Sequence, residues 1–181
     1  MNTQHSPLIL LTCLLVTTSC SEKKSSADNP TASPLALSPA LVKVFAAAPA
    51  GNPVEIMQAR ASAKPGETIT LKGLVMGRTK PFVEGRAAFT LGDPAKLTPC
   101  NKNPDDSCET PWDVCCESPE AIKAATVTIQ VVDADGRVLK EPIEHVNGLN
   151  PLSEVIVTGT VTTSSNADLL VLNASSIKVV Q

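Results

Sequence analysis

From Glu67 the chain takes up a period of two: Ile69, Leu71, Gly73, Val75 and Gly77 alternate with Thr68, Thr70, Lys72, Leu74 and Met76. Successive side chains of a strand point to opposite faces, so the alternation predicts a half-buried strand. The same period returns at 126–132, with Val127, Ile129 and Val131 on one face, and at 154–163, with Val155, Val157, Gly159 and Val161 inward and Thr158, Thr160 and Thr162 outward. Residues 82–91 form a further candidate strand, 169–172 return from 154–163 through a hairpin at 164–167, and 177–180 supply a last short stretch. Asp135-Gly136 predicts a tight turn into Arg137-Val138-Leu139. Gly73 and Gly77 interrupt the first strand, and glycine inside a strand pattern marks a bulge or bend. Such a bend lets one strand serve two sides of a barrel.

The expected fold class is therefore all-β: five principal strands over residues 66–181, with a bent first strand and a closing hairpin. The string Gly66-Glu-Thr-Ile-Thr-Leu-Lys-Gly-Leu-Val, the later Phe89-Thr-Leu-Gly-Asp and the closing Ser153-Glu-Val-Ile-Val-Thr-Gly-Thr-Val resemble the OB-fold, a small five-stranded Greek-key barrel. A two-sheet β-sandwich is the alternative. Where OB barrels carry a helix between strands three and four, this chain has only residues 144–152, containing Gly148 and Pro151. The expected plug for the barrel bottom is instead the segment before Pro65. The resemblance implies a ligand face on strands two and three and their flanking loops. There Arg78, Lys80, Phe82 and Arg86 form a candidate binding face. The whole chain of 181 residues has three Phe, one Trp and no Tyr at a net charge of −3. Sequence-tolerant nucleic-acid binding uses stacked rings and basic grooves, so composition argues against it and leaves an envelope protein or glycan as the expected partner.

Ahead of the barrel, residues 8–16 form an apolar run followed by Thr17-Thr-Ser-Cys20 and polar Ser21-Glu-Lys-Lys. Nine residues are too few for a helix crossing a bilayer, which needs about 20, but they suit the hydrophobic region of a signal peptide. This start resembles a bacterial lipoprotein precursor, with Thr17 where that family favours Leu and His5 as the only basic side chain of the head. The resemblance implies that residues 1–19 are removed and that Cys20 receives the lipid. The protein would then be exported and anchored to the cell membrane or outer membrane. Residues 20–53, rich in Pro, Ala and Ser, read as a tether, although 41–48 are apolar enough to pack on something. Residues 54–65 predict a short helix stopped by Pro65-Gly66.

Between the second and third strands lies an insertion of different composition, 94–120, with two bases (Lys96, Lys102) against six acids (Asp105, Asp106, Glu109, Asp113, Glu117, Glu120). It therefore carries −4, and the rest of the chain about +1. It holds Cys100, Cys108, Cys115 and Cys116. In an exported, Pro-rich loop four cysteines read most simply as two disulfides, with Cys115 and Cys116 each paired to Cys100 or Cys108 and Trp112 packed over the bridges. The alternative is a zinc or copper site, with Asp105, Asp106 and Asp113 as supplementary ligands, although the spacing lacks paired C-x2-C knuckles.

No catalytic constellation accompanies these features. His145 is the one histidine beyond residue 20, and neither a G-x-S-x-G elbow nor a phosphate-binding loop occurs. Asp133-Ala-Asp-Gly136 opens like a calcium loop but lacks the later ligands, so a hairpin turn is expected. The expected function is a non-catalytic envelope lipoprotein, a binding or structural module without a cofactor, with metal binding through the cysteines as the alternative.

Overall fold

A computed structural model describes residues 36–103 and 108–180. Its strands are β1 (Thr68–Val75), β2 (Ala88–Gly92), β3 (Thr126–Gln130), β4 (Glu154–Val161) and β5 (Val171–Val180). They close into a barrel in the order β1-β2-β3-β5-β4, with β4 returning to β1. All neighbours are antiparallel except β3 and β5, which run parallel. This is the closed five-stranded OB-like barrel expected from the alternation, with the cysteine-bearing segment inserted between β2 and β3.

Closure depends on the glycines. Residues Thr68 to Leu74 of β1 pair with β4, whereas Leu74 and Val75 pair with β2, so the strand changes partner just after Gly73. A Cβ on Gly73 would sit 2.8 Å from the Gly92 carbonyl oxygen and from Leu91 Cγ, so only glycine admits this close approach. Gly159 plays the same part on the other side. The β4–β5 register slips between Thr158 and Gly159, leaving Ser175 as the extra residue of a bulge, and a Gly159 Cβ would meet Asn173 O at 2.8 Å.

Two short helices precede the barrel: α1 (Pro39–Ala46) and α2 (Ile56–Ser62). The Ser38 side chain accepts from Leu41 N–H and Pro39 occupies the first turn, a strong helix start. Eight residues do not hold a helix in water by themselves, so α1 exists through its packing. Leu41 and Val44 are buried in the same apolar cluster as Leu71, Phe89, Leu91, Ile129, Val157 and Ile177, and α2 adds Ile56 and Ala59. These two helices form the expected plug, and the 144–152 segment, with only a 3-10 turn at Val146–Gly148, adds Val146 and Leu149 to the same cluster. No helix among the described residues is long and apolar enough to cross a membrane.

The packed unit begins at Ala36, so the last part of the segment read as tether belongs to the domain. The reason is partly polar. Between the helices the chain runs along β1, β4 and β5, where Ala50 N–H donates to Thr158 Oγ1 at 2.9 Å, Thr70 Oγ1 donates to Ala50 O, and Ser176 Oγ donates to Ala47 O at 2.7 Å. Thr70, Thr158 and Ser176 are consequently buried. Thr158 thus points away from the core as its alternation requires, yet it is covered by chain and not by water. The same cover explains why 169–172 and 177–180, read as separate stretches, belong largely to one ten-residue strand: the polar run Asn173-Ala-Ser-Ser is paired to β4 throughout, apart from the bulge.

Candidate functional site

The insertion leaves the barrel at Asp93, which is fully buried. Its backbone N–H donates to Ala125 O at 2.9 Å, drawing the two ends of the insertion together. Its carboxylate accepts from Ala95 N–H at 3.0 Å and from Met57 N–H at 3.3 Å. The second contact satisfies the first turn of α2, whose own N-cap residue, Glu55, makes no side-chain cap bond. One side chain therefore fixes the loop to the plug.

Within the loop, Leu97, Val114 and Ala125 bury themselves against Met76 in a small cluster separate from the barrel core. Backbone bonds fasten it further: Gly77 N–H to Trp112 O (3.2 Å), Val114 N–H to Gly77 O (2.9 Å), Cys100 N–H to Asp113 O (2.8 Å) and Asn101 N–H to Pro111 O (2.9 Å). A 3-10 turn spans Cys100–Lys102, and α3 (Pro119–Ala124), capped by Ser118, leads back into β3.

This frame brings three of the four cysteines together. Cys100 and Cys115 Sγ lie 3.6 Å apart, and the sulfurs of Cys100, Cys108 and Cys115 are all within 4.8 Å of one another. Cys100 is buried, Cys108 half-buried and Cys115 exposed; Cys116 is exposed and stands outside the trio. Thr110 Oγ1 lies 3.2 Å from Cys108 Sγ and 3.5 Å from Asp113 Oδ2, so one hydroxyl bridges a thiol and a carboxylate. The Cys108 thiol is held below its ordinary pKa, chiefly by the Thr110 hydroxyl, then by the Thr110 backbone, with smaller help from Cys100 and Cys115. Asp113 is 7% exposed, and its Oδ1 is buried without a hydrogen-bond partner. Of the acids expected to supplement a metal, Asp113 thus stands behind Thr110 and is not grouped with the sulfurs. Asp105 and Asp106 lie outside the described residues, as does Cys20.

Trp112 is anchored on the barrel side of the loop. Its indole N–H donates to Thr79 O at 3.1 Å, in the β1–β2 connection. The ring thereby lines a groove of about 350 Å³ with Pro81, Phe82, Pro142, Ile143 and Pro151. Of the candidate binding face, Lys80 and Phe82 border this groove while Arg78 and Arg86 are exposed elsewhere on the connection. Lys80 has Glu84 at 3.6 Å, and Phe82 is packed on Phe89 with ring centroids 5.9 Å apart. His145 hydrogen-bonds Asn150 Oδ1 through Nδ1 at 2.7 Å. Asp133 accepts from Asp135 N–H and Arg137 N–H, both at 2.9 Å, and closes the expected hairpin turn.

Asp93 and Thr110 were not singled out by sequence. Asp93-Pro94 after a strand is a legible turn signal, but its bond to α2 joins residues 36 apart and has no local trace. Comparison with protein-family models, with curated proteins and with solved structures finds no match to this chain.

Proposed function

We propose that this protein is a non-catalytic binding module of the cell envelope: exported, held at a membrane by lipid on Cys20, and working through the β2–β3 loop. The observation that carries this reading is the way the loop is built. Asp93, the Met76–Leu97–Val114–Ala125 cluster and the backbone bonds to Gly77 hold it against the barrel as a preformed surface, where most insertions of such Pro-rich composition are loosely attached. The Trp112 groove beside it offers apolar walls with a few polar groups at the rim, the usual make-up of a recognition site for a protein or glycan. The apolar run at 8–16 and the small residues before Cys20 support export and anchoring.

Two measurements test it. In Cys20→Ser the protein should leave the membrane fraction, and unchanged membrane association would remove the anchor. Capture from envelope extract should lose its specific partners in Trp112→Ala, and an unaltered partner set would remove the groove.

A second reading of the cysteines is supported by the 3.6 Å approach of Cys100 and Cys115: on oxidation this is the pair best placed to close, leaving Cys108 and Cys116 for a second bridge. In that reading the loop is a disulfide-stapled acidic element.

A further inference from the structure

We propose that Cys100, Cys108 and Cys115 form a three-thiolate site for a soft d10 cation, zinc(II) in the first instance, with Cys116 outside it. The proposal deepens the reading of the β2–β3 loop as the working element and does not depend on the lipid anchor.

Geometry comes first. A tetrahedral ion with metal–sulfur bonds of about 2.3 Å spaces its sulfurs about 3.8 Å apart. The three sulfurs here lie within 4.8 Å of one another, with the closest pair at 3.6 Å, so small side-chain rotations bring them to one centre. A disulfide accounts for the meeting of two sulfurs. It gives no reason for a third to converge on the same point from a separate turn of the loop.

The backbone under the site is already set. Cys100 is tied to Asp113 and its neighbour Asn101 to Pro111, while Val114, next to Cys115, is tied to Gly77. None of these bonds requires a metal, so Cys100 and Cys115 are brought together beforehand, and Cys108 joins them through its side-chain contact with Thr110.

The hydrogen bonds around the site point the same way. The loop is acidic overall, and Asp113, with one oxygen buried and unpartnered, stands one hydroxyl away from Cys108. No ion pair of Asp113 occurs among the described residues. Thr110 and Asp113 serve as the outer partners that orient the Cys108 sulfur.

The donor set selects the class of ion. Sulfur without carboxylate or imidazole in the group suits zinc or copper(I) and excludes calcium and magnesium, which take oxygen ligands. On binding, three S–H bonds are replaced by three sulfur–metal bonds and three protons pass to solvent, with no change of oxidation state. Three protein ligands leave one position for water or an external ligand.

The test uses the full exported protein, purified under reductant, stripped with a chelator and titrated with zinc(II), with cobalt(II) as the spectroscopic probe. One equivalent should bind, with a thiolate-to-cobalt charge-transfer band that zinc abolishes. Cys108→Ser and Cys115→Ser, at half-buried and exposed positions that tolerate the change, should each weaken binding on the order of 100-fold or more. Cys100→Ser should do the same, with circular dichroism confirming the barrel. Cys116→Ser should bind like the parent, whereas a double-disulfide arrangement needs Cys116 as a partner. The proposal is overturned if four titratable thiols accompany no metal binding, if Cys116→Ser loses binding as the others do, or if calcium displaces the cobalt. It also falls if the protein, purified without reductant and then unfolded, shows none of these thiols. Each result is independent of where Cys20→Ser fractionates, so failure here and failure of the anchored-module reading are told apart.

Discussion

The barrel and the β2–β3 loop are held together by different physics. In the barrel, one apolar cluster takes side chains from all five strands and from both leading helices, and Phe89, Leu41, Ile56 and Leu172 lose all contact with water. The loop has Leu97, Val114 and Ala125 packed on Met76, two buried aspartates, Asp93 and Asp113, and a few backbone bonds. Hydrophobic burial scales with area and tolerates no hole, whereas the loop's order rests on particular donors and acceptors. Damage to the barrel should therefore be global and damage to the loop local.

The largest effect separates the two regions at the leader. If α1 is part of the barrel's core, Leu41→Ala should lower the stability of the whole domain by about 2 to 5 kcal/mol, as for other buried leucines cut to alanine. Urea unfolding followed by circular dichroism reads this directly. A loss below about 1 kcal/mol would make residues 36–50 an ornament on a self-sufficient barrel, and the division of the molecule would have to be redrawn.

How much of this was legible in the chain depends on how local each cause is. The alternation at Thr68–Val75 and Glu154–Val161 and the glycines at 73 and 159 state the barrel outright, because period and missing Cβ are local properties. The helix at Pro39–Ala46 shows in sequence only as an apolar patch, since eight residues carry little helical signal and its stability comes from the surface that it covers. Thr70, Thr158 and Ser176 look solvated for the same reason: their partners, Ala47 and Ala50, are remote in sequence. The cysteines announce their chemistry by type, but which three meet is decided by the bonds at Gly77, Pro111 and Asp113. The bond from Trp112 to the Thr79 carbonyl, 33 residues back, has no local trace either.

An intermediate effect is expected where the two regions join. Asp93→Ala leaves Met57 N–H and Ala95 N–H without their acceptor, at a cost of about 1 to 3 kcal/mol. Hydrogen exchange should quicken at those two amides while β4 and β5 stay protected. Uniform loss of protection over the barrel would show that the loop is part of the global folding unit, against the contrast drawn above.

The smallest effect lies at the surface and sharpens the contrast by its size. The Asp133 carboxyl is held below its usual value, first by the Arg137 backbone N–H and then by the Arg137 guanidinium and the Asp135 backbone N–H, with burial opposing them. Because the folded value is the lower one, the turn's contribution is present in full above the unfolded Asp value of about 3.9 and is lost as pH falls through the folded value. Arg137 also reaches Asp135 at 2.5 Å, so Arg137→Ala removes the guanidinium from both acids while leaving the backbone donors in place. Carboxyl NMR titration should then find Asp133 moved part of the way back toward its free value. Full return would mean that the side-chain pair, and not the backbone of the turn, holds the charge, whereas the hydrogen bonds from Asp135 and Arg137 N–H predict that most of the depression survives.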